Sequence, residues 1–278
     1  MRVLLIQPPI EDFYDTSVRT YPLGLAYVAS RVSGLAEVEV LDARTTDRPV
    51  PLAEHGFPEL EPFYREGAST PFSFFGSFRR YGLSRSEIRE AISSRKPDIV
   101  GIASMCTTYE EQAFEVAKEA KEVNREITTV MGGLHPTLFP AHVLRNRAVD
   151  YCVRGEGETP FLRLVSSLSQ GRKILRRERI PGVCFRRGKE IHVSEVNVEA
   201  DIDALPNRAL LDADRYRIGR KRYAFFLSSR GCPHSCSFCG KPPIPYRRRT
   251  LASVEEEIGQ CASLGVTAID FEDDMLNP

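Results

Sequence analysis

The sequence predicts an α/β fold: a mainly parallel, doubly wound, flavodoxin-like sheet over residues 1–180, a connector over 181–220, and a second α/β unit starting at 221 and running to 278. Three observations carry this. Short apolar runs of strand length alternate with stretches whose apolar residues recur at helical spacing, the pattern that builds a parallel sheet with crossover helices. Several of those runs end in turn formers, Pro8-Pro9, Gly132-Gly133 and the segment Gly155-Glu156-Gly157. The length of 278 residues, 42% of them hydrophobic, suffices for one large or two ordinary cores.

Taken in order, the first strand is Val3-Leu4-Leu5-Ile6. It is too short for a signal peptide and has no small-residue cleavage site. Pro22 suits the first turn of the following helix and Gly34 its C-terminal stop. Val38-Glu39-Val40-Leu41 makes the second strand. Residues 43–86 are rich in Pro, Gly, Ser and aromatics without a sustained period, and read as an insertion or long loop. Asp98–Ala103 is the next strand. Thr108 and Glu111 have capping-box spacing ahead of the stripe Ala113, Ala117, Ala120 and Val123. Ile127–Met131 and Val149–Val153 are further strands, and Thr159-Pro160 opens a helix with Phe161, Val165 and Leu168 on one face. Gly182–Phe185 and Glu190–Val193 suggest a hairpin within the connector, and Asp201–Pro206 reads as extended chain. In the second unit Ala224–Leu227 is a strand. Ser253 and Glu256 form a second capping-box pair, and Leu251, Val254, Ile258 and Cys261 share a helical face. Val266–Asp270 is the last strand.

Lys plus Arg and Asp plus Glu both number 38, so the formal net charge is zero. That balance gives no global attraction to nucleic acid or to an anionic membrane. The run Arg247-Arg248-Arg249 reads as solvated surface. No stretch nears the ~20 apolar residues that cross a bilayer, so no transmembrane segment and a cytoplasmic location are expected. Of seven cysteines, three fall within eight residues, which suits a metal site better than a disulfide framework. Cys106, Cys152, Cys184 and Cys261 lie in apolar runs and read as small buried hydrophobes.

In open parallel sheets ligands sit beyond the carboxyl ends of the strands, where Gly132, Gly133, Gly155 and Gly157 fall. Glycine there lets the backbone approach a bulky ligand; tight strand-to-helix turns would need the same glycines. The second candidate site is the segment Ser229-Arg-Gly-Cys232-Pro-His-Ser-Cys236-Ser-Phe-Cys239-Gly, which follows a strand and precedes a helix. Thiolates suit iron–sulfur clusters and zinc. Structural zinc wants four ligands, and His234, between two of the cysteines, would strain a tetrahedral site. The ferredoxin run has another spacing and four cysteines. A redox pair at Cys236 and Cys239 leaves Cys232 without a part. Three cysteines on a cubane leave one iron open to bind a substrate. Zinc and redox chemistry stay as alternatives on the residues alone.

This loop resembles the signature of the radical S-adenosylmethionine superfamily, three cysteines spaced three and two residues apart with an aromatic, here Phe238, before the last. Gln7-Pro8-Pro9, Tyr21–Ala26, Asp98–Ile102, Gly132–Pro136 and Arg154–Glu158 occur in matching order in its cobalamin-binding members. The resemblance implies that Cys232, Cys236 and Cys239 ligate a [4Fe–4S] cluster whose fourth iron chelates S-adenosylmethionine, yielding a 5′-deoxyadenosyl radical. It implies that Ser104, Thr107, Thr108, Gly132, Gly133, His135, Gly155, Glu156 and Gly157 line a cobalamin site, and that Phe238 and Asp274 lie on the adenosylmethionine side. Asp273 and Asn277 follow the same strand. It further implies a small-molecule substrate and a flavodoxin- or ferredoxin-type electron donor. One departure stands out: no Asp-x-His-x-x-Gly loop is present, so the cobalt is expected to lack a histidine ligand from this chain. His135 is expected to hydrogen-bond or pack instead.

The family's barrel is a (β/α)6 partial barrel, and a full (β/α)8 barrel takes ~250 residues. Residues 221–278 cover two strands and one helix, so the chain reads as the N-terminal fragment of a longer enzyme that does not turn over alone. Methyl transfer to an unactivated carbon is the first expectation. Rearrangement or ring formation without methyl transfer, a non-catalytic cobalamin module, and a flavodoxin-like protein with a zinc site are the others.

Overall fold

The apolar run at the N-terminus forms strand β1 (Arg2–Gln7), buried at every residue but its first, so both its faces need cover. The structure, a computed structural model of the chain, describes all residues except 14–20, 45–48, 53–77, 172–179, 241, 243 and 278. After β1 come β2 (Ile10–Asp12), helix α1 (Leu23–Val32), β3 (Glu37–Asp42), β4 (Val50–Pro51), β5 (Arg79–Tyr81) and α2 (Arg85–Arg95). Then follow β6 (Ile99–Ala103), α3 (Glu110–Val123), β7 (Thr128–Gly132), α4 (Leu134–Leu138), α5 (Pro140–Arg145), β8 (Tyr151–Val153) and α6 (Glu158–Ser169). The hairpin β9 (Val183–Arg187) and β10 (Glu190–His192) leads to β11 (Arg217–Ile218), β12 (Lys221–Phe226), β13 (Ser229–Arg230), β14 (Arg247–Arg248), α7 (Leu251–Ser263) and β15 (Ala268–Phe271).

The main sheet runs β10-β9-β8-β7-β6-β1-β3. Its five strands from β8 to β3 are parallel, and the β9–β10 hairpin extends it antiparallel to β8. The sheet is therefore mixed, and the hairpin read as connector belongs to it. Side chains alternate across a strand, so Leu4 and Ile6 join Ile88, Ile92, Val116 and Leu144 on one face. Val3 and Leu5 join Leu25, Ala29, Phe161 and Leu164 on the other. Helices α2, α3 and α5 thus cover one face, and α1 and α6 the other.

Part of the span read as loop over 43–86 lies outside the described residues; within it β4, β5 and the start of α2 are ordered elements. A capping box opens α2: Ser84 accepts from the Glu87 amide while the Glu87 carboxylate accepts from the Ser84 amide. The two pairs expected to cap helices do not. Thr108 lies in a 3-10 turn before α3. Thr250 caps α7, accepting from Ser253 N, because Ser253 sits a turn inside the helix, where its hydroxyl binds Arg249 and Asp203. Cys152, Cys184 and Cys261 are buried as expected, but Cys106 is exposed, in the loop three residues past the end of β6.

In the second unit β12 and β15 are parallel, with α7 between them in sequence. Its core is shared with the first: Tyr21, Leu23 and Tyr27 pack with Leu211, Tyr216, Tyr223 and Cys261. The Tyr216 hydroxyl donates to Asp42 Oδ2 at 3.1 Å. Helix α7 presents Ser253, Glu257 and Cys261 inward, whereas Leu251 and Ile258 of the expected apolar face are exposed. No described helix is long and apolar enough to cross a membrane.

Candidate functional site

β1 and β6 are neighbours, yet the chain passes from β1 to β3 on one side and from β6 to β7 on the other. The carboxyl ends at such a reversal form a crevice. Here a small recess is lined by Pro8 and Pro9 after β1, by Ala103–Cys106 after β6, and by Arg44 and Tyr109. Burial opposes the Arg44 charge and lowers its pKa despite Asp42 beside it.

Ser104 holds the floor of the loop after β6. Its amide donates to Gly132 O at 2.7 Å and its carbonyl accepts from His135 N at 3.0 Å. Its buried hydroxyl has no hydrogen-bond partner among the described residues. Gly133 has φ +114, and a Cβ there would meet Ser104 O at 2.6 Å, so the β6 and β7 loops touch backbone to backbone. Thr107 and Thr108 are exposed above them. His135 is buried, with Nδ1 3.1 Å from Thr107 Oγ1. Its Nε2 lies 2.8 Å from Glu110 Oε2, an ion-pair contact without hydrogen-bond geometry. Burial lowers the His135 pKa.

The loop after β8 is drawn towards the second unit. Gly155 has φ +90, and its missing Cβ would stand 2.2 Å from Asn197 O. Glu156 Oε1 accepts from Arg230 Nη1 at 3.2 Å and from Arg247 Nη2 at 2.8 Å, while Oε2 accepts from the Glu199 amide at 2.6 Å. Arg230 also pairs with Glu158 at 2.7 Å and stacks over the Tyr27 ring, 4.7 Å from its centroid. Burial works against the Arg230 charge, but Glu158 and Glu156 raise its pKa above the usual guanidinium range. Burial pushes the Tyr27 hydroxyl up to about 12.

Arg230 and Arg247 are the stem of the cysteine loop. β13 and β14 pair antiparallel and close it, and Gly231, with φ +78, lies where a Cβ would be 2.4 Å from Pro245 O. Cys232 is half-buried; Cys236 and Cys239 are exposed, with Cys239 N donating to Cys236 O at 3.0 Å. Phe238 is 90% exposed. The run Arg247–Arg249 is therefore not simple solvated surface: Arg247 is ion-paired and Arg249 buried. At the end of β15 Asp273 accepts from Ser228 N and Oγ and from Ser229 Oγ, stapling two strand ends together, while Asp274 is exposed. Arg230 and Arg247 were not singled out in the sequence as site residues. The Arg-Gly-Glu-Gly-Glu and Ser-Arg-Gly-Cys motifs were the available signal.

Replacing Glu156 by Gln is expected to loosen the stem selectively. A hydrogen bond to a charged group contributes about 1.5–3 kcal/mol, so amide exchange over residues 229–248 should speed up roughly ten- to a hundredfold. Strand β6 should keep its protection, and unchanged exchange in the stem would refute the anchoring role.

A model of the B12 binding domain matches residues 78–165. The chain is 31% identical over 284 residues to an uncharacterized methyltransferase of Pyrococcus horikoshii, PH0819, covering 99% of this chain and 53% of that protein. It is 36% identical over 207 residues to the anaerobic magnesium-protoporphyrin IX monomethyl ester cyclase of Rubrivivax gelatinosus, covering 72% of this chain and 37% of the cyclase. Over 52% of this chain and 22% of that protein it is 31% identical to the cobalamin-dependent radical SAM methyltransferase TokK of Streptomyces tokunonensis. Among solved structures, the radical S-adenosylmethionine methyltransferase TsrM of Kitasatospora setae, with cobalamin and a [4Fe–4S] cluster bound, superposes with TM-score 0.64 at 20% identity over 98% of this chain and 47% of its own. OxsB, a cobalamin-dependent S-adenosylmethionine radical enzyme, gives 0.67 at 15% identity over 98% and 34%. The chain spans about half the length, or less, of the relatives it matches.

Proposed function

The chain belongs to the cobalamin-binding radical S-adenosylmethionine enzyme family, and from that premise we propose that it carries the cofactor sites of a methyltransferase acting on an unactivated carbon. In this reading residues 1–180 together with the β9–β10 hairpin are a doubly wound corrinoid domain, the stretch from the hairpin to residue 220 a connector, and 221–278 the beginning of the radical barrel. The corrinoid lies over the recess between β1 and β6. Ser104, Thr107, Thr108, Gly132, Gly133 and His135 line it, with the Gly155–Gly157 loop at its far edge. The residues fit: Ser104 lines the recess and its buried hydroxyl has no partner among the described residues, while Gly133 lets the β6 and β7 loops close against each other beside it. His135 gives the cobalt no ligand in this reading, since its ring is turned to Thr107 and Glu110.

Cys232, Cys236 and Cys239 hold three irons of the cluster, and three soft thiols on a closed, accessible loop fit that group. Phe238 and Asp274 flank the adenosylmethionine. When bound, these groups supply radical generation and methyl carriage. The chain's own part is placement, and one observation carries the reading. Glu156, from the loop after β8, clamps both arginines of the cysteine-loop stem, so the corrinoid face and the cluster loop are neighbours held by charge. A small-molecule substrate and a flavodoxin- or ferredoxin-type electron donor complete the proposal.

Anaerobic reconstitution tests it. About four irons per chain together with one bound corrinoid are expected. Corrinoid without iron would point to a carrier module, and zinc without corrinoid to an unrelated metal protein. The identity with the Rubrivivax gelatinosus cyclase favours ring formation as the second reading. Methyl-labelled S-adenosylmethionine separates the two, since the label enters the product only in methyl transfer.

A further inference from the structure

Away from the cysteine loop, the described residues bring together Glu110, His135 and His142, whose ligand atoms all lie within 4.8 Å of one another. They come from three elements: Glu110 opens α3, His135 lies in α4 and His142 in α5. Glu110 Oε2 is 2.8 Å from His135 Nε2 and 2.9 Å from His142 Nε2. The decisive atom is His135 Nε2, buried in a residue only 1% exposed and without a partner in hydrogen-bond geometry among the described residues. The tautomer that donates from Nδ1 to Thr107 Oγ1 leaves Nε2 as a lone pair facing a carboxylate oxygen. In that tautomer the two facing acceptors need a proton or a metal cation between them.

We propose that Glu110, His135 and His142 form a mononuclear site for a divalent transition ion of the zinc class, with a fourth position open to water. Two imidazoles and one carboxylate suit such an ion, whereas magnesium and calcium take oxygen ligands. Thr107 does what an outer partner does in metal sites, fixing the ring and its tautomer through the second nitrogen. Phe114 and Phe139 pack against the histidine rings. Tetrahedral zinc with bonds of ~2.0–2.1 Å wants donor atoms roughly 3.3 Å apart, so the carboxylate oxygen needs to move about half an ångström from each histidine nitrogen. His142 is half exposed and can swing to allow that and to admit the ion.

The test uses the full chain with Cys232, Cys236 and Cys239 replaced by alanine, so that the triad does not compete. Titration with Zn²⁺ against a chromophoric chelator should give one equivalent bound, X-ray absorption a shell of nitrogen and oxygen, and Mg²⁺ no binding at the site. His142→Ala, at an exposed position, should melt like its parent without metal and bind Zn²⁺ at least tenfold more weakly. Zinc should raise the melting temperature of the parent but not of this variant. No bound zinc, sulfur in the shell, or equal affinity in His142→Ala would overturn the site.

Discussion

Alanine at Cys232, Cys236 and Cys239 together is expected to take iron after anaerobic reconstitution from about four atoms per chain to background. Thiolates are the ligands that hold such clusters, and of the other cysteines only Cys106 is exposed; Cys152, Cys184 and Cys261 are sealed in the cores. The loop is held by contacts other than iron. It is closed by the β13–β14 pair, by Gly231 against Pro245, and by the ion pairs of Arg230 and Arg247. Cys236 and Cys239 are exposed and Cys232 is half-buried, and surface substitutions stay within about 0.5 kcal/mol, so the variant should melt close to its parent without metal and keep its corrinoid binding. Loss of iron would then report lost ligands, not lost structure. Iron retained near the parent's level would place the cluster elsewhere, and a Cys106→Ala control would show whether that cysteine had taken over.

What was legible in the sequence was what is local. β1, β6 and β7 announce themselves because strands covered on both faces are short continuous apolar runs, and the cysteine triad because its three ligands share one loop. Helix α2 was missed because only Ile88 and Ile92 of its residues are buried; its capping box, Ser84 with Glu87, was the signal available. Helix α7 shows the reverse error. Leu251, Val254 and Ile258 look like a core face, yet the helix is oriented by a charge, Glu257, and hydrophobic periodicity cannot register that. The clamp on the cysteine loop was illegible for a related reason: Glu156 is 74 residues from Arg230 and 91 from Arg247 in the chain. Opposite charges at that separation carry no spacing signal. The two adjacent aspartates after β15 differ only in direction, Asp273 turned to Ser228 and Ser229 and Asp274 to solvent.

Glu257→Gln is expected to be among the most destabilising single changes in the chain, by about 3–5 kcal/mol, the range for removing one partner of a buried ion pair. The Glu257 side chain is fully buried between two guanidiniums, Arg208 on Oε1 and Arg249 on Oε2. Neither arginine can escape to water. Arg208 donates to Phe225 O at 2.7 Å and lies over the Tyr21 ring; Arg249 donates to Leu227 O at 2.9 Å and to the Ser253 carbonyl and hydroxyl. A neutral amide in place of the carboxylate leaves two positive charges facing each other without a counterion, at the junction of connector, β12 and α7. The intact cluster need not itself be strongly stabilising, because burying three charges costs nearly what their attraction returns. Replacing all three together, Glu257→Leu with Arg208→Met and Arg249→Met, should therefore recover much of what the single change loses. Denaturant unfolding of the four proteins (parent, Glu257→Gln, the arginine pair alone and the triple) decides it. A single variant within about 0.5 kcal/mol of the parent would mean that water reaches the arginines, and that the two units are not joined through this charge.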